Sequence, residues 1–175
     1  AFSDRADPEE VQDVLETYFA GAAKAIFSHD GIIDKYMGDG ILAFFENDGD
    51  SITSATRAAD CALAMQAQAR KLNELYRSQN RSPFAMRVGL ATGYAKVGNI
   101  GPAEKIDYTV IGSVVNLASR LQGIGEPGDV IIDEDTYFFV KDHYLVTDLG
   151  PKDLKGFSKS IEVFSVTAHE QTTAG

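Results

Sequence analysis

Gly38-Asp39-Gly40, set between two short apolar runs, constrains the fold more than any other stretch of the chain. Gly31-Ile32-Ile33-Asp34-Lys35-Tyr36-Met37 reads as a strand, and Ile41-Leu42-Ala43-Phe44-Phe45 reads as a returning one. The residues between them are turn formers, because glycine tolerates positive φ and aspartate favours turns. The unit is therefore a hairpin, an antiparallel pair.

Helical segments flank the hairpin. Asp7-Pro8-Glu9-Glu10 is a helix start: Asp7 can cap, Pro8 suits the first helical position, and Glu10 can close a capping box. Val11, Val14, Leu15, Tyr18, Phe19, Ala22 and Ile26 then recur on one helical face. A long helix is expected from about Ser51 to Arg77, with Ile52, Ala55, Ala59, Leu63, Leu72 and Leu75 among its buried residues. Beyond it, residues 84–93 read as a strand, 94–97 as another, 98–102 as a loop and 106–111 as a short strand. Residues 113–124 form a helix closed by Gly125-Glu126-Pro127-Gly128. A strand at 129–132, a short helix at 134–140 and strands at 143–149 and 161–167 complete the pattern. Helices and strands mix without strict alternation, which predicts an α+β sheet with helices on one face. The 175 residues fit one domain, with no repeat or linker. The abrupt opening Ala1-Phe2-Ser3-Asp4 suggests a domain excised from a longer multidomain protein.

The formal net charge of -10 argues against a nucleic-acid or anionic-membrane surface, since both need a basic patch. No apolar run reaches the roughly 20 residues of a membrane helix, so no membrane contact is expected within this segment. The single cysteine, Cys61, cannot form an internal disulfide, which favours a reducing, cytoplasmic setting. In the run Ala58-Ala59-Asp60-Cys61-Ala62-Leu63 it reads as a small buried helix residue. His29, His143 and His169 are scattered, so a zinc site is not expected. A phosphate-binding Walker loop and a serine nucleophile elbow are both missing from the sequence.

The chemistry-bearing candidates are few. On the helix from Ser113, residues Val114, Leu117, Ala118 and Leu121 share one face, while Asn116 and Arg120 stand together at i and i+4 on another. An arginine so placed can stabilise charge developing on a phosphoryl group; by spacing alone, a solvated helix face is the commoner reading. Asp39 at the hairpin tip can bind a hard cation, or it can be ordinary turn chemistry. Asp4 ends a strand-like opening and could face that tip across a sheet, or it could cap a helix.

Taken together, these segments resemble one family. Phe2-Ser3-Asp4, then Ile33-Asp34-Lys35-Tyr36-Met37-Gly38-Asp39-Gly40, then Asp107-Tyr108-Thr109-Val110-Ile111-Gly112 leading into Val115-Asn116-Leu117-Ala118-Ser119-Arg120, are similar to class III adenylate and guanylate cyclases. Leu154-Lys155-Gly156-Phe157 before Ile161-Glu162-Val163-Phe164 is also similar. The resemblance covers nearly the whole chain. It implies a ferredoxin-like antiparallel core and a head-to-tail homodimer with active sites at the interface. It implies that Asp4 and Asp39 hold two divalent ions, Mg²⁺ or Mn²⁺, with Ca²⁺ an alternative at one site. Asn116 would orient the ribose, Arg120 would stabilise the transition state, and Lys155 would meet the terminal phosphates. Lys35 and Thr109 would contact the base. The metal carboxylates would come from one subunit and Lys35, Thr109, Asn116 and Arg120 from the other.

Base choice follows from donors and acceptors. Adenine offers N1 as acceptor and the N6 amine as donor; Lys35 only donates, and the Thr109 hydroxyl can accept. Guanine would call for an acidic side chain, so the pair favours ATP over GTP. Threonine at 109 is similar to the cyanobacterial-type, bicarbonate-responsive subgroup, which makes bicarbonate a candidate activator. A guanylate cyclase and an inactive, cyclase-like nucleotide-binding domain are the alternatives. There is one departure: the family follows its Phe-Ser-Asp with an Ile/Val-x-Gly-Phe-Thr stretch that wraps the phosphates, whereas Asp4 runs straight into Arg5-Ala6-Asp7-Pro8. The flanking matches are intact on both sides, so the expectation is an omission from this sequence.

Overall fold

The computed structural model describes residues 7–169. Helix α1 (Pro8–Ser28) starts as its sequence directs, with the Asp7 carboxylate accepting from the Glu9 amide at 3.1 Å. Glu10 turns instead to Arg81, 3.5 Å from its Nε. The hairpin follows as β1 (Ile32–Met37) and β2 (Gly40–Phe44). Helix α2 (Ser51–Ser78) is capped by Asp50, which accepts from the Ile52 amide and the Thr53 hydroxyl. Ala55 and Ala59 are buried as expected, whereas Ile52 and Leu75, in the first and last turns of the helix, are exposed. Then come β3 (Val88–Leu90), β4 (Lys96–Ile100), β5 (Asp107–Ile111), α3 (Ser113–Ile124), β6 (Val130–Asp133), α4 (Glu134–Val140), β7 (Tyr144–Lys152) and β8 (Ile161–His169).

A four-stranded sheet ordered β3-β6-β8-β7 forms the centre, with β1-β2 and β4-β5 as separate antiparallel ladders. All four residues of β6 are buried, as suits a strand covered on both faces. Its alternation sends Val130 and Ile132 toward Ala55, Ala59 and Ala62 of α2 and Val140 of α4, while Ile131 meets Leu121 of α3. The α+β class is as expected, but the expectation that all helices share one face needs correction. It fits α2 and α4, whereas α3 lies on the opposite face. The cause is the parallel pairing of β3 with β6, which needs a crossover connection, and α3 lies in that connection.

Two strand boundaries also differ. The strand read at 84–93 shrinks to Val88–Leu90, because α2 side chains take the backbone groups before it. Asn73 bonds both the carbonyl and the amide of Phe84 (2.8 and 2.9 Å), and Gln66 donates to the Met86 carbonyl at 3.1 Å. Conversely, Gly98-Asn99-Ile100, read as loop, is strand, since Gly98 pairs with Thr109 and Ile100 with Asp107. Cross-strand pairing outweighs the poor strand propensity of Gly and Asn.

Cys61 is buried between α1 and the hairpin, with Ala25, Ile26, Ile33 and Met65 near it. Burial, reinforced by the neighbouring Asp60 charge, pushes its thiol up to about 11. The thiol is therefore expected to resist iodoacetamide in the folded protein at a pH of about 7.5 and to react on unfolding, as intact-mass measurement would read.

Candidate active site

The hairpin presents Asp39 at an exposed tip. Met37 pairs with Gly40, so the loop is only Gly38-Asp39. Gly38 has φ +61°, the conformation required at the first central position of a tight II′ turn. Tyr36 packs edge-on against Phe19 of α1 at 5.0 Å, which ties the strand below the tip to the helix. The Tyr18 phenol is raised above its ordinary pKa by burial and, second, by the Asp39 charge, so the tip carboxylate projects its field back onto α1.

Below the tip, β1 carries a bulge. Ile33 pairs with Ala43 and Lys35 with Leu42, which leaves Asp34 as an extra residue. Freed from the ladder, Asp34 reaches β5. The Thr109 hydroxyl donates to its Oδ2 at 2.8 Å, and the Val110 amide donates to the same oxygen at 3.3 Å. Lys35, the next residue, is exposed and Thr109 half-buried. Further support for β5 comes from the Tyr108 hydroxyl, which donates to Glu46 at 3.0 Å, and from the Tyr108 ring, 6.3 Å from Phe44.

Helix α3 follows β5 directly. Leu121 is fully buried with Ile131, Leu154 and Val163, and Leu117 packs against the same cluster. That anchoring leaves Asn116 and Arg120 exposed on the outer side. The helix lies so close to β3 that a Cβ on Gly89 would sit 2.3 Å from the Ala118 carbonyl oxygen. Arg120 Nε donates to the Lys155 carbonyl at 3.1 Å, so the structure brings Arg120 and Lys155 together. Lys155 follows buried Leu154 in a turn closed by the Phe157 amide on the Leu154 carbonyl. Both sides of the Arg120–Lys155 contact thus rest on one core cluster.

The expected residues fall into two groups: Lys35 and Thr109, linked through Asp34, and Asn116, Arg120 and Lys155 around α3. Sequence reasoning passed over two contributors. Asp34 stood inside a quoted motif, but nothing in a linear pattern marks a bulge. Gly89 looked like any strand glycine. Asp39 makes no hydrogen bond or ion pair with another described residue, and Asp4 lies outside the described residues. Among the described residues, no cluster of three or more His, Cys, Asp or Glu side chains could hold a metal. The exposed carboxylate of Asp39 is a hard oxygen donor of the kind Mg²⁺ or Mn²⁺ takes, so this half of the expected ligand set fits.

A guanidinium and an amide stand exposed on one helix face with a lysine beside them, and a carboxylate stands on an exposed turn; such groups can meet a phosphorylated ligand. The chain belongs to the adenylate and guanylate cyclase family: the model of the adenylate and guanylate cyclase catalytic domain matches residues 1–168. It is 31% identical to adenylate cyclase 1 of Rhizobium meliloti (strain 1021) over 94% of this chain and 25% of that one. The crystal structure of the adenylyl cyclase CyaB from P. aeruginosa is similar, with a TM-score of 0.90 and 32% identity, covering 97% of this chain and 88% of that chain. So is that of the guanylyl cyclase Cya2, with a TM-score of 0.87 and 32% identity, covering 99% and 88%. The chain spans a quarter or less of the length of curated relatives such as adenylate cyclase 1 of Rhizobium meliloti and the adenylate cyclase of Anabaena cylindrica. Members of the family typically use two divalent metal ions. No helix among the described residues is long and apolar enough to cross a membrane.

Proposed function

We propose that this domain is an adenylate cyclase, converting ATP to 3′,5′-cyclic AMP and pyrophosphate with two divalent metal ions at the interface of a head-to-tail homodimer. The observation that carries the reading is the openness of the site. Lys35, Asp39, Asn116, Arg120 and Lys155 are all exposed. On the elements that carry Lys35 and Thr109, and beside them, Tyr36, Met37, Tyr94, Ile106, Tyr108 and Ile111 are exposed as well. Polar reactive groups beside uncovered aromatic and aliphatic side chains suit one half of an interface. Two cavities in the chain, of about 360 and 710 Å³, are lined by other residues.

The reaction is in-line attack of the ribose 3′-hydroxyl on the α-phosphorus, with pyrophosphate leaving. The metal pair, when bound, lowers the hydroxyl pKa and neutralises triphosphate charge. Asp39 supplies one of its carboxylates and Asp4 is assigned the other. Asn116 orients the ribose, Arg120 meets the charge developing on the equatorial oxygens, and Lys155 meets the terminal phosphates. No protein nucleophile is needed. Lys35 donates to adenine N1 and opposes the N1–H of guanine, which favours ATP. Thr109 makes bicarbonate the expected activator.

Mixing two dead variants tests the assignment. Asp39→Ala and Arg120→Ala damage opposite halves of each site, so each homodimer has two broken sites. With random subunit exchange half the dimers are mixed, and in each of those one site is whole. Mixed protein should recover about a quarter of the wild-type cyclic AMP rate. A mixture as inactive as its parts would refute the shared site. Cyclic GMP as the main product of the wild-type domain would refute the nucleotide assignment.

A further inference from the structure

The bulge in β1 gives Asp34 a task that neither the motif nor the family assignment specifies. Its carboxylate oxygen collects two hydrogen bonds from β5, from the Thr109 hydroxyl at 2.8 Å and the Val110 amide at 3.3 Å. A carboxylate can only accept, so the direction of the first bond follows from chemistry: the single Thr109 proton points at Asp34. The amide bond fixes where that oxygen sits, and the ladder partner Gly98 holds Thr109 from the other side. With its proton committed, the hydroxyl can offer the nucleotide only lone pairs.

We infer that Asp34 contributes to base specificity alongside Lys35, by locking the Thr109 hydroxyl as a pure acceptor toward the 6-position of the purine. Adenine presents an amine there and is matched. Guanine presents a carbonyl oxygen and meets lone pair against lone pair. A free threonine hydroxyl would tolerate both, because it can rotate and donate. Threonine therefore discriminates only because of the neighbour that the bulge delivers. Asp34 acts through Thr109 and is a positioning residue; it reaches Thr109 only as the residue that the ladder leaves unpaired. The inference rests on the reading of Lys35 and Thr109 as the base contacts.

The test is the ratio of kcat/KM for ATP to that for GTP, measured with the wild-type domain, Asp34→Ala, Asp34→Asn, Thr109→Val and the Asp34→Ala/Thr109→Val pair. Removing the acceptor frees the hydroxyl, so Asp34→Ala should lower the ratio about tenfold, with GTP turnover rising relative to ATP. The side-chain amide introduced by Asp34→Asn would still offer a carbonyl oxygen to both donors, so that variant should keep most of the wild-type ratio. With no hydroxyl to orient, Asp34→Ala on the Thr109→Val background should leave the ratio unchanged, which a double-mutant cycle reads directly. Equal losses with both nucleotides in Asp34→Ala, or an undiminished effect on the Thr109→Val background, would overturn the inference. If Asp34→Ala does not fold, a ratio in Asp34→Asn as low as in Thr109→Val would overturn it equally. A Thr109→Val variant with the wild-type ratio would instead sink the underlying base-site reading, so the two failures are distinct.

Discussion

Alanine at position 120 should lower kcat for cyclic AMP formation by roughly 10²–10³-fold, while KM for ATP changes far less. The difference between the two parameters is the informative part. Arg120 is exposed and makes one hydrogen bond among the described residues, from Nε to the Lys155 carbonyl, so its loss removes little that holds the fold together. That bond uses the inner nitrogen and leaves the two terminal nitrogens available as a fork. A group set to meet charge that appears only as the α-phosphorus is attacked contributes to the transition state and not to the ground state. Arg120→Lys should restore little, staying roughly tenfold or more below wild type, because an ammonium has neither the Nε–H that fixes the plane nor the fork. Steady-state kinetics at saturating metal would check both. An Arg120→Ala enzyme with raised KM and unchanged kcat would mean that the side chain only binds substrate.

The second large effect is expected far from any charged group. Gly89→Ala should both destabilise the domain, by about 1–3 kcal/mol or more, and cut activity by about 10²-fold. The added Cβ would lie 2.3 Å from the Ala118 oxygen and 2.4 Å from the Gln122 nitrogen. Both are backbone atoms of α3, so no side-chain rotation relieves the clash and the helix itself must move. Asn116 and Arg120 ride on that helix, and a displacement on the order of 1 Å is enough to spoil an in-line geometry. A calorimetric melt together with kcat would test this. A variant with wild-type Tm and wild-type rate would show that α3 can be shifted without consequence.

What was legible in the sequence was whatever is encoded locally. Asp7 and Asp50 cap their helices because a short acceptor before a helix satisfies amides two or three residues on. Gly38-Asp39 makes the hairpin because its loop needs a positive φ, and α3 shows its polar pair because i and i+4 always share a face. These relations fix where Asp39, Asn116 and Arg120 stand on their own elements; the family was legible only through the resemblance of the ordered motifs that contain them.

Tertiary structure alone decided how those elements meet. Thr109 and Asp34 are 75 residues apart, and Arg120 and Lys155 are 35 apart; no periodicity links such positions. The parallel pairing of β3 with β6 put α3 on the face opposite α2, and it made Gly89 the floor beneath the Arg120 helix. The β4 pairing turned an apparent glycine loop into strand, and one unpaired residue in β1 turned Asp34 from a motif letter into the partner of Thr109. In each case the deciding contact is a hydrogen bond or close approach between distant segments. Its geometry exists only once the sheets have closed, which is why the residue types were readable beforehand and their orientation was not.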